Sequence, residues 1–295
     1  MLVQQRKRMA FWLILPTLLL IVAFKIAPII EGVVVSFQAQ SMMRPNPDAF
    51  VGWTHYKRAI FDEGVFGAAL WRTIVWTFGS VAGAYIVGLS IALLLNRQFP
   101  GRTIFRALFL IPWVIPEVAT ALLWKWAYGD EFGVINFLLM RLGVLDTPIL
   151  FLSSPGAAMA SVIVVQIWKL YPIMFITLLA ALQSVPRELH ESAEIDGATV
   201  WQRFVYVTFP YIRPTSVIIT LLAAIWTFQN FDIIYLLTGG GPADATKILP
   251  TLVYEKGFWG LELGYASAIS LLMLLCLTVL SVAYLFVYRA QREET

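Results

Sequence analysis

The sequence predicts an all-α, polytopic membrane protein: a single transmembrane domain over residues 1–295, crossing the bilayer six times with both termini cytoplasmic. Three observations lead there. The chain is 59% hydrophobic and 13% charged, with a mean hydropathy of +0.77. A soluble domain carries about 25% charged residues, and so little polar surface cannot coat a water-soluble globule. Six apolar runs each approach or exceed the roughly 20 residues a helix needs to cross the hydrocarbon. Basic residues gather in alternate segments between those runs, which is a topology signal.

The runs follow in order. Ala10–Ile30 comes after Arg6-Lys7-Arg8 but is longer than the apolar core of a signal peptide. No small-x-small cleavage site follows it, so an uncleaved span is expected. Lys25 lies near its outer end, where its ammonium can snorkel to water. Thr73–Leu95 is free of charge, and Arg72 at its outer end can snorkel likewise. Ala107–Trp126 contains Glu117, and Gly156–Leu182 contains Lys169. Pro214–Leu236 and Tyr265–Tyr288 complete the set, the last carrying Cys276, the single cysteine, so no disulfide can form within the chain. Barrel strands would show about ten alternating residues apiece, and these runs are too long and too uniform for that.

Orientation follows from Lys and Arg. Arg6, Lys7 and Arg8, then Arg97, Arg102 and Arg106, then Arg187, Arg203 and Arg213, and lastly Arg289 and Arg292 occupy alternate segments, predicted cytoplasmic. The opposite loops mix Arg44, Lys57, Arg58, Arg141, Lys247 and Lys256 with acids. Those loops are rich in turn residues ("RPNPDAFVGW", "TPILFLSSPG", "TGGGPADATK"), and Trp53, Trp124, Trp126 and Trp259 sit near the outer interface. The pI near 9.0 accompanies a net charge of only +3. Because the bases lie in short flanks, they point to topology and not to nucleic acid.

One segment looks like none of the runs. "ELHESAEIDGATVWQRFVYVTFP", Glu188–Pro210, places four acids in nine residues before Gly197. Ser184 is placed to cap a helix with Pro186 in its first turn. Glu188, Glu191 and Glu194 recur every third residue and so share a face. Gly197 lets the chain turn, and a second helix from about Thr199 is expected to lie on the inner surface and re-enter the membrane near Pro210. From physics alone, a solvated connecting loop is an equal reading.

The spacing within this segment resembles the EAA loop of ABC importer permeases. Glu191-Ser192-Ala193, three residues, Gly197, nine residues and Val207-Thr208-Phe209-Pro210 match the family's Glu-Ala-Ala, Gly and Ile-x-Leu-Pro pattern, with Ser192, Val207 and Phe209 as departures. "APIIEGVVVSF", "LFLIPWVIPEV", "GVINFLL", "FDIIYLLTGGGP", "LVYEKGF" and "GYASAIS" resemble blocks of the maltose-type carbohydrate permeases. The resemblance implies a bacterial or archaeal plasma-membrane complex of two permeases, two ATP-binding subunits and an external solute-binding protein. It makes Glu188–Pro210 the coupling helix that docks on an ATPase, with Glu191, Ser192, Ala193, Asp196, Gly197 and Pro210 as mechanical contacts. ATP and Mg would be bound by the partners and no cofactor by this chain. In agreement, no G-x-x-x-x-G-K-[ST] phosphate loop occurs.

Other candidates weigh less. "HESAE" at His190–Glu194 falls one histidine short of a zinc motif, and the only other histidine is His55. Glu117 and Lys169 inside spans are functional suspects by default, either paired near the solute path or acting as a structural ion pair. "WTFQNFDIIY" interleaves Gln229, Asn230 and Asp232 with Trp226 and Tyr235, a pattern suited to sugar hydroxyls and ring faces and equally to helix–helix bonding. The competing functional reading is a self-sufficient carrier or channel working as a homo-oligomer, with Glu117 and Lys169 as its relay. An intramembrane enzyme lacks a nucleophile, base and orienting group.

Overall fold

A backbone surrounded by hydrocarbon has only its own N–H and C=O groups to bond, so apolar runs become helices. The computed structural model describes residues 2–41 and 49–293; among them are helices, turns and one isolated antiparallel bridge between Gln38 and Phe50, with no β-strand. Arg44 and the start of its turn-rich loop lie outside the described residues. Helix α1 (Leu2–Ile21) passes through a π-helical turn into α2 (Ala27–Ser36), followed by α3 (Thr54–Lys57) and α4 (Val65–Asn96). Next come α5 (Arg102–Val114), α6 (Glu117–Ala127), α7 (Val134–Arg141), α8 (Pro155–Gln183) and α9 (Arg187–Ile195). Helix α10 (Val200–Arg203) continues through a π-helical turn, Phe204–Thr208, into α11 (Phe209–Phe228), and α12 (Asp232–Thr238), α13 (Leu249–Tyr254) and α14 (Leu263–Glu293) follow.

Among the described residues, five helical stretches are long and apolar enough to cross a membrane: Leu13–Ser36, Val65–Asn96, Pro155–Gln183, Val200–Phe228 and Leu263–Phe286. The pair α5 and α6, bent by 95°, makes a sixth crossing if counted as one span. Two of the expected spans therefore change. The third is not a continuous helix over Ala107–Trp126 but two helices meeting at Ile115–Pro116. The fifth does not run from Pro214 to Leu236; it starts at Val200 and stops at Phe228, and Asp232 opens a separate short helix.

The chain forms two compact units, residues 1–67 with 252–275 and residues 68–251 with 276–295. In the first, Arg58 ties the loop after α2 to the start of α14. Its Nε lies 2.6 Å from Glu63 and its Nη1 2.8 Å from Glu262, with the guanidinium 4.1 Å from the Tyr265 ring. Tyr265 donates its hydroxyl to Glu63 at 2.8 Å. Burial pushes the Glu63 carboxyl up, but Tyr265, Arg58 and Lys256 together hold it below the usual range. His55 is spent locally, its Nε2 2.9 Å from the Gln38 carbonyl.

The second unit is built around α4, α8 and α11. Met174, Phe175, Leu178 and Ile212 are fully buried in one cluster, and Trp76, Val162, Ile233 and Ile234 in another. Trp76 donates to the Thr227 carbonyl at 3.0 Å, and the Leu249 N–H to Thr73 Oγ1 at 2.9 Å. Small residues let α4 approach α8 closely, as is usual between membrane helices. A Cβ added at Gly83 would meet Ile167, and one at Gly88 would lie 2.6 Å from Met174 Cβ and 2.9 Å from the Phe175 nitrogen.

At Gly88 the obstruction includes backbone, which cannot rotate away. Overpacking of this kind costs about 1–3 kcal/mol. Gly88→Ala is expected to lower the thermal unfolding midpoint in detergent by several degrees. Gly67→Ala, where no atom lies within 4 Å, is expected to leave it unchanged, and an equal response of both variants would refute the close-approach account.

Candidate functional site

The break between α5 and α6 begins with proline chemistry. A residue before proline is pushed out of the helical region, and Ile115, which precedes Pro116, is extended at φ −66°, ψ 128°. In a continuous helix the Pro112 carbonyl would accept from residue 116, but Pro116 has no N–H. The end of α5 therefore presents unsatisfied carbonyls at membrane depth, where each is expensive. Lys169, in the middle of α8, satisfies them. Its ammonium donates to the carbonyls of Pro112 at 3.2 Å, Trp113 at 3.1 Å and Ile115. Lys169 is thus a cap on a broken helix, and no ion pair with Glu117 forms within 4.0 Å among the described residues.

Glu117 is the first residue of α6, where a carboxylate suits the positive end of the helix dipole. It is half-buried, and its two oxygens accept from Asn230 Nδ2 at 3.3 and 3.4 Å. Asn230 sits in the second break, between α11 and α12, and its Oδ1 accepts from the Ile233 N–H at 3.3 Å. Short polar side chains compete in this way with helical bonding, which explains why the run around Gln229 and Asn230 interrupts the span. Asp232 opens α12 as Glu117 opens α6, and the two carboxyl groups interact. The two breaks therefore meet.

Of the pathway candidates, Glu117, Lys169, Asn230 and Asp232 come together at this junction. Gln229 and Trp226 are exposed beside it, and Tyr235 stacks on Phe231 at 4.6 Å. Three buried polar atoms on α6 and α8, Thr120 Oγ1, Trp124 Nε1 and Gln166 Oε1, lack a hydrogen-bond partner among the described residues. No group of three or more His, Cys, Asp or Glu side chains among those residues could hold a metal.

The acidic segment forms a second feature. Ser184 does not cap α9; it ends α8, donating its hydroxyl to the Ala181 carbonyl at 2.8 Å, and Pro186 stands at the N-cap. Glu188, Glu191 and Glu194 line α9 as expected from their spacing. The helix closes in a Schellman turn, with Gly197 N–H bonding Glu194 O at 3.0 Å and Ala198 N–H bonding Ala193 O at 2.9 Å. That turn needs a left-handed residue, and Gly197 has φ +77°. Thr199 and Gln202 then make a reciprocal capping box, readable in advance as T-x-x-Q. The helix from Val200 does not lie apart on the surface; it runs through Pro210 into α11 without a sharp bend. Arg203 joins the two sides of the turn through Glu194 at 2.6 Å.

Comparison with known proteins decides the family. The model of the binding-protein-dependent transport system inner membrane component matches residues 84–293. The chain belongs to that family. The permease is 36% identical over 284 residues to a probable ABC transporter permease protein of Brucella suis biovar 1 (strain 1330), covering 95% of this chain and 96% of the relative. It is 35% identical to the trehalose/maltose transport system permease protein MalF of Thermococcus litoralis, covering 97% and 95%. In fold it matches a chain of a bacterial ABC transporter that imports the acidic polysaccharide alginate, with a TM-score of 0.83, 24% identity and coverage of 97% and 96%.

The permease's sequence pointed to Glu117 and Lys169 as membrane-embedded charges but gave no sign that Lys169 caps backbone. The available signal was the pair Pro112 and Pro116, four residues apart and thus one missing helical bond. Leaving a buried carbonyl unsatisfied costs about 1–3 kcal/mol. Lys169→Met is expected to insert into the membrane normally but to unfold at a clearly lower temperature, with Lys169→Arg restoring much of the difference. Glu117→Gln, which still offers Asn230 an acceptor, should do less harm. A Lys169→Met protein as stable as the parent would remove the capping role.

Proposed function

We propose that the permease is one of two different membrane-spanning subunits of an ATP-driven importer. It takes up a di- or oligosaccharide, or a related polyol or glycerol phosphate, delivered by an external binding protein. Two ATP-binding subunits supply the energy and hold ATP and Mg, and this chain holds neither. The trehalose/maltose relative, matched over nearly the whole of both chains, supports the substrate class. The alternation of Lys and Arg supports cytoplasmic termini and a cytoplasmic Glu188–Pro210.

The observation that carries the mechanism is the join between α9 and α11. Glu191 and Ser192 on α9 and Asp196 and Gly197 in the turn after it are exposed, with Ala193 half-buried, and the next helix continues through Pro210 into a membrane span. Ile195, 86% exposed, offers an apolar anchor to an ATPase cleft. Movement of the ATPases then tilts α11 and the junction beyond its far end.

At that junction Asp232 and Gln229 are exposed, and lipid cannot solvate them. Discontinuous helices in transporters cluster at solute sites. Glu117, Gln229, Asn230 and Asp232 supply planar polar groups for hydroxyls, Trp226 and Tyr235 supply ring faces, and Lys169 holds the frame. The second permease completes the path.

A left-handed residue costs an L-amino acid about 1–2 kcal/mol, and asparagine tolerates that conformation where a β-branched residue does not. No atom lies within 4 Å of a Cβ at Gly197, so backbone conformation is the constraint. In proteoliposomes holding the whole complex, Gly197→Val is expected to hydrolyse ATP without matching uptake, while Gly197→Asn stays coupled. Equal coupling in both, or uptake by this chain alone without ATP, would overturn the docking model and favour a self-sufficient carrier.

A further inference from the structure

A groove of about 590 Å³ opens where α4 and α8 end and α10 begins. Its walls are of two kinds. Leu93, Leu182, Val200, Trp201 and Phe204 are apolar, with the Trp201 and Phe204 rings 5.7 Å apart. Arg97, His190 and Arg203 bring basic nitrogens to the same space. Among the described residues, the side chains of Arg97 and His190 make no hydrogen bond or ion pair. Arg203 gives only Nη1 to Glu194, leaving the rest of its five donors free. No acid is among the residues lining the groove, and Glu194 reaches it only as the partner of Arg203.

The position of the groove narrows its occupant. Leu93 and Leu182 belong to the last turns of α4 and α8, which end at Asn96 and Gln183. That is the depth at which membrane helices leave the hydrocarbon and tryptophan favours the interface. An occupant must therefore pair an anionic head with an apolar body. A sugar lacks the anion and a free nucleotide lacks the acyl chain. Basic pockets between helix ends suit lipid head groups.

We propose that this groove binds an anionic phospholipid, its phosphate held by Arg97 and Arg203 with His190 beside them and an acyl chain laid along Leu93, Leu182 and the Trp201–Phe204 pair. The site tethers the turn between α9 and α10 to the leaflet. It is separate from the junction of broken helices and independent of which solute is carried.

The test uses the intact complex extracted in mild detergent, with phosphatidylglycerol and phosphatidylcholine as probes and native mass spectrometry as the readout. The parent is expected to retain phosphatidylglycerol in clear preference to phosphatidylcholine. An Arg97→Gln, Arg203→Gln double variant is expected to lose roughly tenfold of that preference, since each base near a membrane surface contributes a several-fold factor. A photoreactive phosphatidylglycerol applied to the unmodified complex should label the peptide Glu188–Thr208, which keeps the test valid if the double variant does not fold. Equal retention of the two lipids, an unchanged preference in the variant, or labelling confined to other segments would each overturn the proposal. So would displacement of phosphatidylglycerol by millimolar inorganic phosphate, which would assign the bases to a soluble anion.

Discussion

The structure depends on satisfying backbone polar groups where there is no water. Uninterrupted helices meet that requirement by themselves, but this chain breaks two helices within its hydrophobic segments and must bring partners to the exposed ends. Lys169 supplies them to the end of α5, and Asn230 supplies one to the start of α12. The charges also match the helix ends they meet. A cation stands at the carbonyl end of α5, and Glu117 and Asp232 stand at the N–H ends of α6 and α12. Such pairings contribute about 0.3–1 kcal/mol each at a surface and more when partly buried. The in-span charges that look like a relay are first of all the condition for having a junction.

That junction and the acidic segment lie at the two ends of one helical run. From Val200 to Phe228 the chain is a single helical run of 29 residues, about 43 Å at the usual rise. One end carries Trp201 and Arg203 at the turn. The other stops beside Asn230, which holds Glu117. Along its length Ser216 accepts from Tyr85 at 2.9 Å and Thr220 meets Tyr284 at 2.5 Å, so the run is fastened to α4 and α14 and not free to slide. A tight Schellman turn joins α9 to it, adding no slack.

Much of this was legible in the sequence, because hydrocarbon leaves a chain few options. The number of spans follows from run length, and α8 and α14 end within a few residues of their apolar runs. The acidic segment was legible by spacing: Gly197 takes the left-handed position its flanking pattern implied. Breaks were harder to read. Hydropathy averages over Ile115–Pro116 and over Gln229–Phe231, since isolated polar residues barely dent a window of twenty. Pro16, Pro172 and Pro214 all lie inside helices that continue, so proline alone does not mark an end. Pro112 with Pro116 does, because the second removes the donor the first requires. Ser184 misled for a related reason, as its hydroxyl serves the end of one helix as readily as the start of the next.

Exposure then separates two kinds of surface. The most apolar window of Leu13–Ser36 has nothing buried within the chain, yet its outward side chains, among them Phe24 and Ile30, are ones that lipid covers without loss. Asp232 and Gln229 are exposed as well, and neither lipid nor an apolar partner can cover them. Thr120, Trp124 and Gln166 hold buried polar atoms that no described residue satisfies. Surfaces of the second kind need water or a polar partner beside them. Those named here lie on the two broken helices and on α8 packed against them, so the junction is one place where this chain needs a polar partner.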